Sequence, residues 1–262
     1  MDFGISGRKA IVAGGSAGMG RAAAVALARE GAELIISARG EERLVAAACE
    51  IAAETGAKVT PIVGDHSTAA GREALLKACP DPDILIVTSS PPRMLSGYEE
   101  ATEKDWLESF YTALIGPVEL IKATAGGMAE RGFGRVVNIG TIAAKTPVEA
   151  RLLSGPMRSA LCNYSGAVAR KLAAKNVTIN NILPGAFHTA ATGQLFKSKA
   201  AANGTTSEVE AQRWAETMGI PAARIGDAED VGAFCALLCS RYASYVVGQS
   251  IVMDGGMLRT VF

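Results

Sequence analysis

Residues 10 to 20 read Ala10-Ile11-Val12-Ala13-Gly14-Gly15-Ser16-Ala17-Gly18-Met19-Gly20, and their reading decides the fold. The apolar run Ala10 to Ala13 predicts a buried strand, and the alanine-rich stretch Arg21 to Arg29 predicts a helix. Between them, Gly14, Gly18 and Gly20 let the backbone turn tightly and approach a diphosphate. The free N–H groups and dipole of the helix start would hold its charge. A second strand, Leu34 to Ser37, follows closely enough to complete a βαβ unit. A strand, a glycine turn, a helix and a second strand together make a common motif into a candidate dinucleotide site. Ser16 and Met19, lying among the glycines, belong to it.

The same alternation continues along the chain. Helix patterns are predicted over Glu41 to Thr55, Trp106 to Glu130, Leu152 to Lys175 and Asp227 to Ser240, the last capped by Asp227. Strand patterns fall at Val59 to Val63, Ile84 to Thr88, Arg135 to Ile139, Thr178 to Leu183 and Ser250 to Met253. Strands separated by helices imply an α/β fold with a parallel sheet covered on both faces. No linker or low-complexity tract divides residues 1–262, so the chain reads as a single domain. The segment 188–222, rich in Ala, Thr, Gly and Ser, departs from this rhythm directly after the sixth strand. It reads either as a substrate loop at the carboxyl end of the sheet or as a surface helical insertion.

Composition narrows the function classes. Lys plus Arg and Asp plus Glu both total 26, so no excess charge favours nucleic acid or an anionic membrane. No apolar run is long enough to span a bilayer, and Met1 to Lys9 lacks the apolar core of a signal peptide. The five cysteines include no Cys-x-x-Cys pair. They are expected to be buried thiols in a reducing cytoplasm, with no metal site.

Several stretches resemble the short-chain dehydrogenase/reductase family, over essentially the whole length. Ala13 to Gly20 is similar to its Thr-Gly-x-x-x-Gly-x-Gly turn, with Ala13 in place of the Thr. Gly64-Asp65 resembles the acidic position beside the adenine, and Asn138-Ile139-Gly140-Thr141 resembles the strand end that bears the catalytic Ser. Asn181 to Gly185, with Thr189 four residues on, is similar to the Pro-Gly segment that caps the nicotinamide. Arg224 to Val231, Ala243 to Gln249 and Met253 to Gly256 resemble the family's C-terminal part. The resemblance implies a Rossmann-type doubly wound sheet of about seven strands in three layers. It also implies a nicotinamide dinucleotide, with Asp65, Pro184, Gly185 and Thr189 among its ligands, and a homo-tetramer or dimer. His66 is expected near the adenine.

An acidic residue at the end of the second strand would bind a ribose 2′-OH, whereas an Arg nearby accommodates a 2′-phosphate. Ser37-Ala38-Arg39 carries no carboxylate, so Arg39 favours NADP over the alternative, NAD. The catalytic pattern departs from the family. Counting back without gaps from Pro184-Gly185, the Ser position is Thr141, the Tyr position Ser154 and the Lys position Arg158. The Asn of the preceding helix falls near Ala113, and the family's Asn-Asn-Ala-Gly becomes Val87-Thr88-Ser89-Ser90. Ser154 and Arg158, four residues apart, are expected on one face of a helix. A Thr hydroxyl donates much as Ser does, and Arg158 keeps the positive charge without giving up a proton. Ser154 is less acidic than a phenol, and its oxygen lies roughly 4 Å nearer the backbone than a Tyr oxygen would.

Tyr164 with Lys171, His188 and Lys145 are further candidate proton donors. Tyr164 falls on the apolar stripe Leu153, Met157, Leu161, Tyr164, Val168, Leu172, which favours a core or interface position. The Leu153-Ser154 to Arg158 pattern resembles a subset of family members that are 3-oxoacyl reductases. The favoured expectation is an NADP(H)-dependent oxidoreductase reducing a small 3-oxoacyl-like carbonyl, or oxidising the matching alcohol. A dinucleotide-binding protein without turnover and a lyase or isomerase on the same fold are the alternatives.

Overall fold

The computed structural model describes residues 1–259. Seven parallel strands form one sheet in the order β3-β2-β1-β4-β5-β6-β7. They are β1 (Lys9–Ala13), β2 (Glu33–Ala38), β3 (Val59–Val63), β4 (Ile84–Val87), β5 (Gly134–Ile139), β6 (Val177–Pro184) and β7 (Ser250–Met253). The central strands are near-continuous Val, Ile, Leu and Ala because both of their faces are covered. The order reverses between β1 and β4. Beyond the carboxyl ends of these two strands lies the crevice where open α/β sheets bind ligands.

Helices α1 (Gly18–Arg29), α2 (Glu41–Thr55) and α9 (Ala228–Cys239) cover one face. Alanine makes most of the α1 contact surface, and Gly232 of α9 lies directly against the Ala22 backbone, so the two helices approach closely. Helices α3 (Ala69–Ala78), α5 (Gly116–Glu130) and α6 (Gly155–Leu172) cover the other face. Each fully buried Leu or Ile in these two cores contributes roughly 1.5–3 kcal/mol of hydrophobic stabilisation. The expected strands and three-layer arrangement are all present. None of the described helices is long and apolar enough to cross a membrane.

Some boundaries differ from expectation. The helix expected over 106–130 is α4 (Glu103–Phe110), a π turn (Tyr111–Ile115) and α5. Thr102 starts α4 with a reciprocal capping box to Asp105. The helix expected over 152–175 begins only at Gly155, with Pro156 in its first turn, and ends in a short 3-10 turn after Leu172. Ser154 is therefore its N-cap and not an interior residue. Asp227 is the N-cap residue of α9, yet its side chain makes no capping bond. Helix α3 carries weak apolar periodicity and was not expected. The segment 188–222 holds two helices, α7 (Ala190–Asn203) and α8 (Ser207–Thr217). They share a small core of Phe196, Ala211, Ala215, Ile220 and Ile225. Cys79, Cys235 and Cys239 are buried thiols as expected, but Cys162 is only partly covered and Cys49 is exposed. All five are free.

Candidate active site

The glycine turn folds as its residue types demand. Gly14 has φ +86°, and a Cβ there would collide with the Thr88 carbonyl, while one on Gly20 would collide with the Gly14 carbonyl. The N–H groups of Gly14 and Gly15 both donate to the Ser37 carbonyl, at 2.9 and 3.0 Å, which clamps the turn to the end of β2. Ala17, the N-cap of α1, offers no side-chain acceptor. The first-turn N–H groups are left facing the crevice, as a diphosphate requires. This helix start, lining the cleft with Gly18, Met19 and Gly20 and free of a side-chain cap, fits the diphosphate of a dinucleotide.

A cleft of about 750 Å³ opens over the carboxyl ends of the strands. It brings together the favoured cofactor and catalytic candidates: Gly14, Ser16, Gly18, Met19, Gly20, Arg39, Asp65, His66, Thr141, Ser154, Arg158, Pro184, Gly185 and Thr189. Tyr164, Lys145 and His188 do not line it. Tyr164 packs partly buried against the core beneath α6, where burial pushes its phenol pKa up. His188 is exposed and meets Phe196 edge-on.

At the β2 end, Arg39 is largely exposed, its Nη1 4.0 Å from Asp65 Oδ2. Arg43, one turn into α2, lines the same region. It is a second cation that a reading confined to the glycine turn overlooks. The Asp65 carboxyl is held below its ordinary pKa: burial opposes ionisation, but hydrogen bonds from Ser67 and the nearby His66 and Arg39 outweigh it. His66 is buried, and its Nε2 lies 3.2 Å from the Thr112 carbonyl in the π turn. It lines the cleft beside Asp65. The same turn holds Ala113 at the position expected for Asn.

Past β5, Thr141 caps a short 3-10 turn (Ile142–Ala144), its Oγ1 accepting from the Ala143 N–H at 3.3 Å. The Thr141 O–H remains free to donate. Ser154 is 4% exposed, and its Oγ has no hydrogen-bond partner among the described residues. The neighbouring Leu153 carbonyl accepts from Ser109 Oγ of α4. This bond ties the start of α6 to α4.

Arg158 is 4% exposed. Its Nη1 donates to the Ile139 carbonyl at 2.8 Å and its Nη2 to Ser89 Oγ at 2.7 Å. Its Nε is buried without a partner among the described residues. Burial pushes the guanidinium pKa down to about 10, which still leaves it charged at neutral pH. The cation thus braces the ends of β4 and β5, a role its partner Ser89 did not signal from sequence. Deeper in β5 and β6, Asn138 Nδ2 donates to Asn181 Oδ1 at 3.0 Å and to Ser165 Oγ at 3.1 Å. That bonding engages the Asn138 amide nitrogen, whereas its Oδ1 is buried without a partner among the described residues.

Helices α7 and α8 form the remaining wall. Thr189 caps α7 reciprocally with Thr192, and its methyl group faces Gly18. Trp214 of α8 lines the cleft and packs edge-on against Phe196, ring centroids 5.7 Å apart. Neither helix stood out in the sequence, because the apolar residues of this segment are few and widely spaced.

Comparison with known proteins agrees with this fold. The family model described as "Enoyl-(Acyl carrier protein) reductase" matches residues 13–258. The NADPH-dependent reductase BacG of Bacillus subtilis is 29% identical over 98% of this chain and 100% of its own length. The 3-oxoacyl-[acyl-carrier-protein] reductase FabG of Pseudomonas aeruginosa is 28% identical over 97% of this chain and 98% of its own. The crystal structure of L-sorbose reductase from Gluconobacter frateurii, complexed with NADPH and L-sorbose, superposes with a TM-score of 0.93. It covers all of both chains at 29% identity. The chain belongs to the short-chain dehydrogenase/reductase family of oxidoreductases.

Proposed function

We propose that this protein is an NADPH-dependent reductase of a small carbonyl compound, 3-oxoacyl-like in size and polarity, able also to oxidise the matching alcohol. The observation that carries the reading is the meeting of two free hydroxyls, Thr141 and Ser154, and the buried cation Arg158 in the cleft lined by the glycine turn. The first-turn N–H groups of α1 would hold the diphosphate, with Arg39 and Arg43 at the ribose 2′-phosphate. Pro184, Gly185 and Thr189 would hold the nicotinamide end. The relatives named as NADPH-dependent and 3-oxoacyl reductases support both the cofactor and the reaction class. The resemblance to the family supports a homo-tetramer or dimer.

When bound, NADPH supplies hydride to the carbonyl carbon. Thr141 donates its free O–H to the carbonyl oxygen, withdrawing electron density from the carbon. Arg158 lies close by as a fixed positive charge that stabilises the alkoxide, the kind of preorganised electrostatic effect that usually dominates such sites. Its guanidinium holds its protons and does not act as the proton source. Ser154 Oγ, with no internal bond to break, relays a proton from water to the alkoxide oxygen and completes the alcohol.

The test is oxidation of NADPH, followed by its absorbance, with short 3-oxoacyl thioesters and ketoses. Turnover is expected in the parent protein, with loss of roughly a hundredfold or more in Thr141→Ala, as when one oxyanion donor is removed. A smaller loss is expected in Ser154→Ala, because water can still deliver the proton. Full activity without the Thr141 hydroxyl overturns the mechanism. Tight NADPH binding with no turnover on any carbonyl would replace the reading with a non-catalytic dinucleotide-binding protein.

A further inference from the structure

The cations that line the cleft are not equivalent. Arg93 makes a bidentate pair with Asp105, through Nε at 3.1 Å and Nη2 at 2.9 Å, and lies 3.7 Å from Glu100. Arg39 stands beside Asp65 at the far end of the cleft. Arg158 is engaged by the Ile139 carbonyl and Ser89. Arg43 has no partner among the described residues either, but it is exposed at the β2 end; Arg151, partly buried on the other side of the switch point, differs from all four. It ends the 3-10 turn Glu149–Arg151 and lines the cleft, and its guanidinium makes no ion pair or hydrogen bond among the described residues. Partial burial pushes its pKa down, and no neighbouring carboxylate lifts it back.

Its surroundings are also short of acceptors. The Ser154 N–H donates to the Arg151 carbonyl at 2.8 Å, so the two residues share one turn. The Ser154 hydroxyl has no partner among the described residues, and the Arg158 Nε, one helical turn further on, is buried without one. Holding donors, one of them a partly desolvated cation, without an acceptor is unfavourable. A ligand anion relieves this, and a guanidinium fork matches a carboxylate in two parallel hydrogen bonds. This group follows β5, across the switch point from β2, so the cofactor's 2′-phosphate at Arg39 does not account for it.

We propose that the substrate is a carbonyl compound bearing a carboxylate, and that Arg151 holds that carboxylate beside Thr141 and Ser154. The proposal rests on the reductase reading above, but its test does not require turnover. Protein saturated with NADP+ is titrated calorimetrically with short oxo acids, from pyruvate to 4-oxopentanoate, and with their methyl esters. At least one acid is expected to bind roughly tenfold or more tightly than its ester, a difference of about 1.4 kcal/mol. Arg151→Met should remove that advantage while the affinity for NADP+, the control for folding, stays the same; Arg151→Lys should restore part of it. Equal binding of each acid and its ester, binding by no acid, or an unchanged acid affinity in Arg151→Met would each overturn the proposal. A reductase acting only on neutral ketones would sink the proposal and leave the reductase reading standing. An acid that binds through Arg151 but is never reduced would overturn the reductase reading and, with it, the acid's role as substrate, leaving Arg151 as a carboxylate-binding residue only.

Discussion

Burial pushes the His66 imidazole below its ordinary pKa of 6.5, and the Arg158 and Arg72 cations push the same way. The Thr112 carbonyl and Asp65 oppose them without prevailing. The folded protein thus holds this histidine neutral at a pH where the unfolded chain protonates it. His66 contributes stability that is fully present above the unfolded pKa and is lost as pH falls through the lower folded value. Urea denaturation at about pH 7.5 and about pH 5.5 reads this directly, and His66→Gln should lose less stability between the two than the parent. Equal losses would show that the ring carries no linked proton. At this scale the site was legible wherever one residue stands at a counted position, as with Thr141, Ser154 and Arg158. Ser89, Arg43 and Arg151 were not, because each matters only through what it meets, or fails to meet, across the fold.

Strands were legible at the level of elements because a doubly covered sheet selects unbroken apolar runs, which Ile84 to Val87 illustrates. Helix ends were less so. Periodicity carried α6 back to Leu152, but Pro156 has no N–H to continue a ladder and suits the first turn, so the helix starts beside it. Ser154 is thereby placed at a helix start. The long helix before β5 broke at a π turn, which inserts an extra residue and leaves no compositional mark. The brace from Arg158 in α6 to the loop after β4 and the end of β5 is a tie between elements. A hydrogen bond to a charged group contributes about 1.5–3 kcal/mol, and a lysine ammonium cannot reproduce the planar two-acceptor geometry. Ser89→Ala should therefore cost roughly 1–2 kcal/mol by urea denaturation in the parent and almost nothing in an Arg158→Lys background, the coupling expected of partners in contact. An equal cost in both backgrounds would mean that Ser89 and Arg158 act independently.

Across the whole molecule, the cleft joins pieces of chain from Gly14 to Trp214 above a switch point that only the assembled sheet creates. A ligand seated there ties the two halves of the sheet together. It binds the folded chain alone, so it stabilises the fold by mass action, about 2.7 kcal/mol at a hundred times Kd. For a chain of this size, 1 kcal/mol moves Tm by roughly 2–4 °C, so NADPH at that excess should raise it by roughly 5–10 °C. The ribose 2′-phosphate would meet Arg39 and Arg43, and no carboxylate stands at the end of β2 to receive a bare 2′-OH. NADH at the same concentration should therefore give a clearly smaller shift. Arg39→Asp should reverse the order: its carboxylate repels the phosphate and accepts from the hydroxyl. Scanning calorimetry of the parent and of Arg39→Asp with each dinucleotide measures all four shifts. Equal shifts in the parent would remove Arg39 as the selector of the cofactor, and an unchanged order in Arg39→Asp would move that role to Arg43.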